Sequence, residues 1–146
     1  MTKEFYKQRS FGTEHLDYYN RIRVPINGYY LDSGCSNWQG IKLVESNNGK
    51  IISFGVDVYD SHPHTIVKDL NKELIPFKNK SFEVISSFEV IEHIDNSEHY
   101  IREIYRLLSD EGYLFISTPN LSWWVNRILL GLGFQPANTE VDKYHS

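Results

Sequence analysis

Two aspartates stand out for where they fall in the chain. Asp32 follows the apolar run Tyr29-Tyr30-Leu31 and opens the segment Asp32-Ser33-Gly34-Cys35-Ser36-Asn37-Trp38. Asp57, roughly 25 residues on, closes the run Ile51-Ile52-Ser53-Phe54-Gly55-Val56. A carboxylate at a strand end can accept hydrogen bonds from two ribose hydroxyls, and a glycine in the preceding turn lets backbone approach a ligand. Together they point to a nucleoside-containing cofactor. A pyrophosphate cradle would want glycine at 34, 36 and 39, and the chain has Gly34, Ser36 and Gln39. A cofactor with a ribose and no phosphate therefore fits better than a nicotinamide dinucleotide. Taken alone, Asp32-Ser33-Gly34 is also an ordinary strand-to-helix turn; Asp57 is what changes the reading.

Other reactive types are less organised. His62-Pro63-His64, Glu92-His93 and Glu98-His99 look like ligand clusters. They lack the HExxH spacing and no cysteine pair exists, so no metal is expected. Cys35 has no evident partner histidine and is not expected to act as a nucleophile.

These residues need a scaffold. Leu16, Tyr19 and Ile22 recur at helical spacing within Thr13–Arg23, and Pro25 stops the pattern, giving a lead-in helix. Strands are expected at 29–31, 51–56, 65–67, 82–88 and 113–116, and a short helix near Gly40–Glu45. Asn96–Leu108 reads as a helix, with Asp95 and Glu98 at capping-box spacing and Ile101, Ile104, Tyr105 and Leu108 on its apolar face. Ser109-Asp110-Glu111-Gly112 should end it, and Trp123–Leu132 forms a last apolar helix. Alternating strands and helices imply an α/β layer fold with a mostly parallel sheet, whose ligands sit beyond the carboxyl ends of the strands. Asp32 to Trp38, Asp57, Asp69-Leu70, Phe88 to His93 and Thr118 to Asn120 all fall there.

Composition sets outer bounds. The chain has 146 residues, 40% hydrophobic, with one cysteine and a formal charge of −4. That length suits one domain. The charge argues against an electrostatically driven nucleic-acid binder, and the lone cysteine suits a reducing compartment. Met1–Lys7 lacks the apolar run of a signal peptide, and Trp123–Phe134 is interrupted by Asn126 and Arg127 and is far short of the roughly 20 residues of a membrane span. A cytoplasmic location is expected.

At this point an ordered set of motifs resembles class I S-adenosylmethionine-dependent methyltransferases, nearest the type 11 and type 23 domains. Leu31-Asp32-Ser33-Gly34-Cys35 resembles the first motif and Gly55-Val56-Asp57 the second-strand end. Lys68-Asp69-Leu70-Asn71 through Ile75-Pro76-Phe77 to Ser81-Phe82-Glu83-Val84-Ile85 resembles the family's "DL…LPF…SFDVI" stretch. Glu89-Val90-Ile91-Glu92-His93-Ile94, Glu103-Ile104-Tyr105-Arg106-Leu107-Leu108 and Gly112 to Asn120 follow in order. The likeness covers roughly residues 28 to 135.

The resemblance implies a Rossmann-like sheet, S-adenosylmethionine as cofactor and a small-molecule acceptor. Asp32 and Gly34 would line the methionine end, with Ser33 and Cys35 in the same turn. Asp57 would bind the ribose hydroxyls and Val58 would pack on the adenine. Asp69 would accept from the adenine amino group with Leu70 beside it. Phe88 and Glu89 would lie under the sulfonium, and His93 would face the acceptor. Methyl transfer is an in-line displacement that needs a base only when the nucleophile arrives protonated; His93 is the best candidate, with Glu89 and Glu92 weaker. His93 could equally serve to hydrogen-bond backbone at a helix start, and Glu89 could orient the cofactor or its loop.

Three departures set further expectations. Ser36 and Trp38 stand where the family has glycines, so the indole must point away from the cofactor or reshape the loop. Glu83 replaces the usual aspartate of the fourth strand. The family's last two strands have no counterpart before Ser146, so residues 28–146 are expected to form a truncated or partner-completed domain after a lead-in at 1–27. A second copy or partner chain would then cover the open sheet edge. Trp123-Trp124 reads as a core or interface face or as a substrate wall. Phe5, Tyr6, Phe11, Tyr18 and Tyr19 could close the cofactor site. A methyltransferase-like binding subunit without turnover is the alternative function.

Overall fold

The computed structural model of the chain describes residues 13–25, 27–119 and 124–134. Five strands form one parallel sheet in the order β3-β2-β1-β4-β5. They are β1 (Tyr29–Ser33), β2 (Ile52–Asp57), β3 (Thr65–Val67), β4 (Phe82–Phe88) and β5 (Leu108–Ser117). The helices are α1 (Thr13–Tyr19), α2 (Gln39–Asn48), α3 (Ser97–Leu107) and α4 (Trp124–Gly131), and a 3₁₀ turn at Ile91–His93 follows β4. Chain progression across the sheet reverses between β1 and β4, the switch point at which such sheets bind ligands. The Trp123-Trp124 reading, Asn120 and the aromatics Phe5, Tyr6 and Phe11 lie outside the described residues or side chains.

Side chains of a strand alternate between faces, and the central strands are buried on both. Tyr30 packs with Tyr19, Ile22, Trp38, Ile41, Val44, Val84 and Phe88 under α1 and α2. Leu31 packs with Val56, Ile75, Ile85, Tyr100, Ile104 and Leu107 under α3. The polar residues at the strand ends divide in the same way. Asp32 and Ser86 meet on the α1–α2 face, Ser33 and Ser87 on the α3 face.

The lead-in is sewn to this core by amides. Asn48, at the end of α2, donates Nδ2 to Ile22 O and Val44 O and accepts from Val24 N; Asn47 Nδ2 donates to Asn20 Oδ1. Helix α1 stops at Tyr19 rather than Arg23, because Arg21 N and Ile22 N bond the carbonyls of Tyr18 and Tyr19 and tighten the chain into turns.

Helix α3 differs from expectation in cap and in face. Asn96, not Asp95, caps it by accepting from His99 N at 3.2 Å. It buries Tyr100, Glu103, Ile104 and Leu107, while Ile101 and Tyr105 are exposed. Glu103 earns its interior place through Arg106 and the Ile75 amide, described below. Strand β5 begins directly after α3. Register jumps from Phe82↔Leu108 to Val84↔Tyr113, so the turn-like Ser109–Gly112 forms a bulge inside the strand rather than a break before it.

Parallel strands are usually bridged by a dozen or more residues including a helix. Here residues 58–64 alone join β2 to β3. Trp38 packs where that short connection crosses. Its indole is buried and points toward β3, donating Nε1 to Thr65 Oγ1 at 3.1 Å. It stacks on His62 with centroids 4.4 Å apart and planes 17° apart.

Candidate functional site

The carboxyl ends of β1, β2 and β4 carry the polar residues of interest. Asp32 has no exposed surface. Tyr19 Oη donates to both its oxygens at 3.3 and 3.1 Å, and Ser86 Oγ donates to Oδ1 at 2.6 Å. Tyr30 Oη lies 2.6 Å from Ser86 Oγ, whose hydrogen is already given to Asp32, so Tyr30 is the donor there. Burial pushes the Asp32 carboxyl up to about 7, against the pull of Ser86 and Tyr19; the charge of Asp57 adds to the rise.

Beyond Asp32 the chain keeps bonding β2, with Gly34 N and Cys35 N both donating to Val56 O. Gly34 has φ +81°, and a Cβ there would meet Val90 Cγ2 at 2.3 Å. Glycine is therefore required by conformation and by space, and the side chain over it is Val90. Cys35 is buried, its Sγ 3.9 Å from Thr65 Oγ1, and burial pushes its thiol up, away from nucleophilic use.

Asp57 sits beside this turn. Its Oδ2 accepts from Ser36 N at 2.9 Å and its Oδ1 from Tyr59 N at 3.1 Å. Each oxygen retains a lone pair for a further donor. Burial raises the Asp57 carboxyl, and the backbone amides of Ser36, Tyr59 and Val58 oppose that. Ser61 Oγ donates to Ser36 O, so the 58–64 connection is strapped over the first turn. Val58 is half exposed next to it.

Lys68 N donates to Asp57 O at 2.9 Å and brings the next segment alongside. There Asp69 accepts from Asn71 N at 3.0 Å and pairs with Lys72 at 2.9 Å; the Lys72 bond leads in holding its carboxyl below the usual range. Leu70 is buried. At the end of β4, Phe88 is buried edge-on to Tyr19 at 4.8 Å. Glu89 has φ +56°, rare for a residue with a side chain. Ser117 fixes it twice, accepting from Glu89 N at 3.2 Å and donating Oγ to Oε1 at 2.6 Å. Burial raises the neighbouring Glu92 carboxyl, and the Glu89 charge adds to this. His93 ends the 3₁₀ turn with its side chain exposed.

The sequence reading did not single out Ser86, Ser87, Ser61, Ser117 or Tyr100. Ser86-Ser87 inside the run Phe82–Phe88 was a usable signal, since buried hydroxyls must find partners. Each does, one on either face of the sheet.

The comparisons with known proteins bear on this arrangement. A profile described as a methyltransferase domain matches residues 13–145, nearly the whole chain. The chain belongs to this methyltransferase domain family. Its five-stranded parallel sheet is that of the class I fold. An uncharacterised protein of Methanocaldococcus jannaschii is 28% identical over 144 residues, covering 88% of this chain and 57% of that protein. A probable S-adenosylmethionine-dependent methyltransferase of Mycobacterium tuberculosis is 30% identical over 96 residues, covering 62% of this chain and 35% of that one. Among solved structures, a putative methyltransferase of Haloferax volcanii, in complex with the Trm112 methyltransferase activator, superposes with a TM-score of 0.62 at 19% identity, covering 73% of this chain and 50% of that one. The methyltransferase domain described here thus spans about half the length, or less, of these relatives. Among its described residues no helix is long and apolar enough to cross a membrane, and no three His, Cys, Asp or Glu side chains gather as metal ligands would.

Proposed function

We propose that the chain is the cofactor-binding part of an S-adenosylmethionine-dependent methyltransferase that acts on a small-molecule acceptor in the cytoplasm. Asp57 carries this reading. It is a strand-end carboxylate beside a glycine turn, held in place by two backbone amides and left with acceptor capacity for a ribose. The residues fit the group: a carboxylate at Asp57 able to accept from ribose hydroxyls, and, among the described residues at these strand ends, no basic cluster of the kind a pyrophosphate would want. When bound, the sulfonium supplies an electrophilic methyl group. The chain's own part is to orient it and exclude water. In this reading Asp32, Ser33, Gly34 and Cys35 form the methionine-end turn, Val58, Asp69 and Leu70 the adenine end, and Phe88 and Glu89 the sulfonium end. His93 is exposed and free to serve the acceptor as a base. Residues up to 27 act as a lead-in to the domain that follows.

Titration calorimetry tests the reading. Saturable S-adenosylmethionine binding is expected, weakened about tenfold or more in Asp57→Ala, as expected for losing hydrogen bonds to a charged acceptor. No saturation at millimolar ligand, or tighter binding of NADH, would sink it.

A second reading, a methyltransferase-like binding subunit without turnover, draws support from Val90, whose methyl already lies against Gly34. Binding without methylation of any candidate acceptor would favour it. In either case the exposed Tyr113, Leu114 and Ile116 on edge strand β5 suit cover by a second copy or a partner chain.

A further inference from the structure

Tyr19 is nearly fully buried, although it comes from the lead-in and not from any strand-end motif. It occupies a built socket. A Cβ on Gly40, at the start of α2, would meet the Tyr19 ring at 2.3 Å, so glycine is what lets the ring lie there. The ring meets Phe88 edge-on at 4.8 Å, and its hydroxyl bonds both oxygens of Asp32. One side chain thus touches two of the residues assigned above to the cofactor's methionine and sulfonium end. The clamps from Asn47 and Asn48 fix the segment directly after it, so the ring enters from a held backbone.

The surroundings of Asp32 give this contact an electrostatic role. The titratable groups that face it are Tyr19 from α1, Tyr30 from its own strand, Cys35 from the turn, Asp57 from β2 and Tyr100 from α3. Among the described residues none of these is basic. There the charge on Asp32 is held by neutral hydroxyls, and Tyr19 reaches both of its oxygens. Asp32 itself has no exposed surface, so it would act on a bound cation through the low-dielectric interior rather than by contact.

We propose that Tyr19 is a positioning residue of the cofactor site, which fixes Phe88 through its ring and the Asp32 carboxylate through its hydroxyl, and so ties the lead-in helix to affinity for the cationic cofactor. This rests on the S-adenosylmethionine reading. Removing the hydroxyl withdraws a bond that favours ionised Asp32, so ionisation moves to higher pH and cation binding follows it.

The test is S-adenosylmethionine binding measured by calorimetry from pH 5.5 to 8.5 in the full chain and in Tyr19→Phe. The cofactor's own amino group titrates alike in both and drops out of the comparison. Tyr19→Phe is expected to raise the Kd about three- to thirtyfold near neutrality and to move the midpoint of the pH dependence upward. Replacing Tyr19 with 3-fluorotyrosine keeps the ring and the fold and makes the hydroxyl a stronger donor; it should move the midpoint downward. If the unaltered chain binds and neither replacement moves the midpoint, the positioning role is overturned and the cofactor reading stands, even if affinity falls through loosened packing. If the unaltered chain does not bind at all, the cofactor reading falls and the proposal falls with it.

Discussion

Asp32 and Glu103 are both buried carboxylates, one under each face of the sheet, and the fold treats them in opposite ways. Asp32 is surrounded by hydroxyls and its carboxyl is pushed up to about 7 by burial. Glu103 is also desolvated, yet its carboxyl is held below the usual range, because two Arg106 bonds and the Ile75 amide outweigh that cost. Arg106 further donates to Ile75 O, Phe77 O and Asn79 Oδ1. The Glu103–Arg106 pair therefore clamps the 75–79 segment to α3 with its charge cancelled. Asp32 lies at the ligand end of the sheet, and no cation among the described residues faces it. Burial alone does not separate the two; a cation among the described partners does.

The largest effect that would break this contrast is in the pH dependence of stability. Below pH 3.8, the ordinary aspartate value, Asp32 is protonated folded or unfolded. Above it the unfolded chain ionises first, which favours unfolding, until the folded carboxyl ionises near 7. Stability relative to Asp32→Asn should therefore fall by on the order of 4 kcal/mol between pH 4 and 7 and then level off. Urea unfolding of both proteins across that range measures it. A flat difference would mean that Asp32 has a charge partner after all.

Arg106→Met tests the other side. It strands a buried carboxylate and should cost about 3 kcal/mol near pH 7. Glu103 has a lowered folded value, so its contribution is present above 4.5 and is lost as pH falls below that. The cost of Arg106→Met should shrink accordingly in urea unfolding at pH 3. A cost that persists at pH 3 would assign Arg106's worth to its carbonyl bonds instead.

How far this contrast could be read from the sequence varies by residue. Strands β3 and β4 fall where expected, because Thr65–Val67 and Phe82–Phe88 are short β-branched or aromatic runs. Asp57 was legible because it ends such a run. The buried face of α3 was not. Hydropathy ranks Ile101 and Tyr105 above Glu103, yet Glu103 is inside since its ion-pair partner is three residues on and the amide that donates to it, that of Ile75, is distant in sequence. The socket for Tyr19 was hidden for a similar reason. Gly40 reads as an ordinary helix residue until a ring from another element lies against it. Asp110 and Gly112 read as turn residues and form a strand bulge, because pairing with β4 resumes beyond them. In each case a non-local partner overrides a local preference.

The smallest expected effect isolates what makes the Glu103–Arg106 pair matter. Helix α3 carries a second pair, Glu98–Arg102, with the same nitrogen–oxygen distance of 2.6 Å. Both are one turn apart on the same helix. They differ in surroundings: the Arg102 and Glu98 side chains are 78% and 75% exposed, those of Arg106 and Glu103 25% and 4%. In water the Coulomb gain of an exposed pair is offset by side-chain entropy and screened by salt. Arg102→Ala should therefore change the unfolding free energy measured in urea by no more than about 0.5 kcal/mol, and 0.5 M salt should erase the difference. If it costs as much as Arg106→Met, distance rather than burial sets the strength of these pairs. The contrast between Asp32 and Glu103 would then have to be rebuilt on geometry alone.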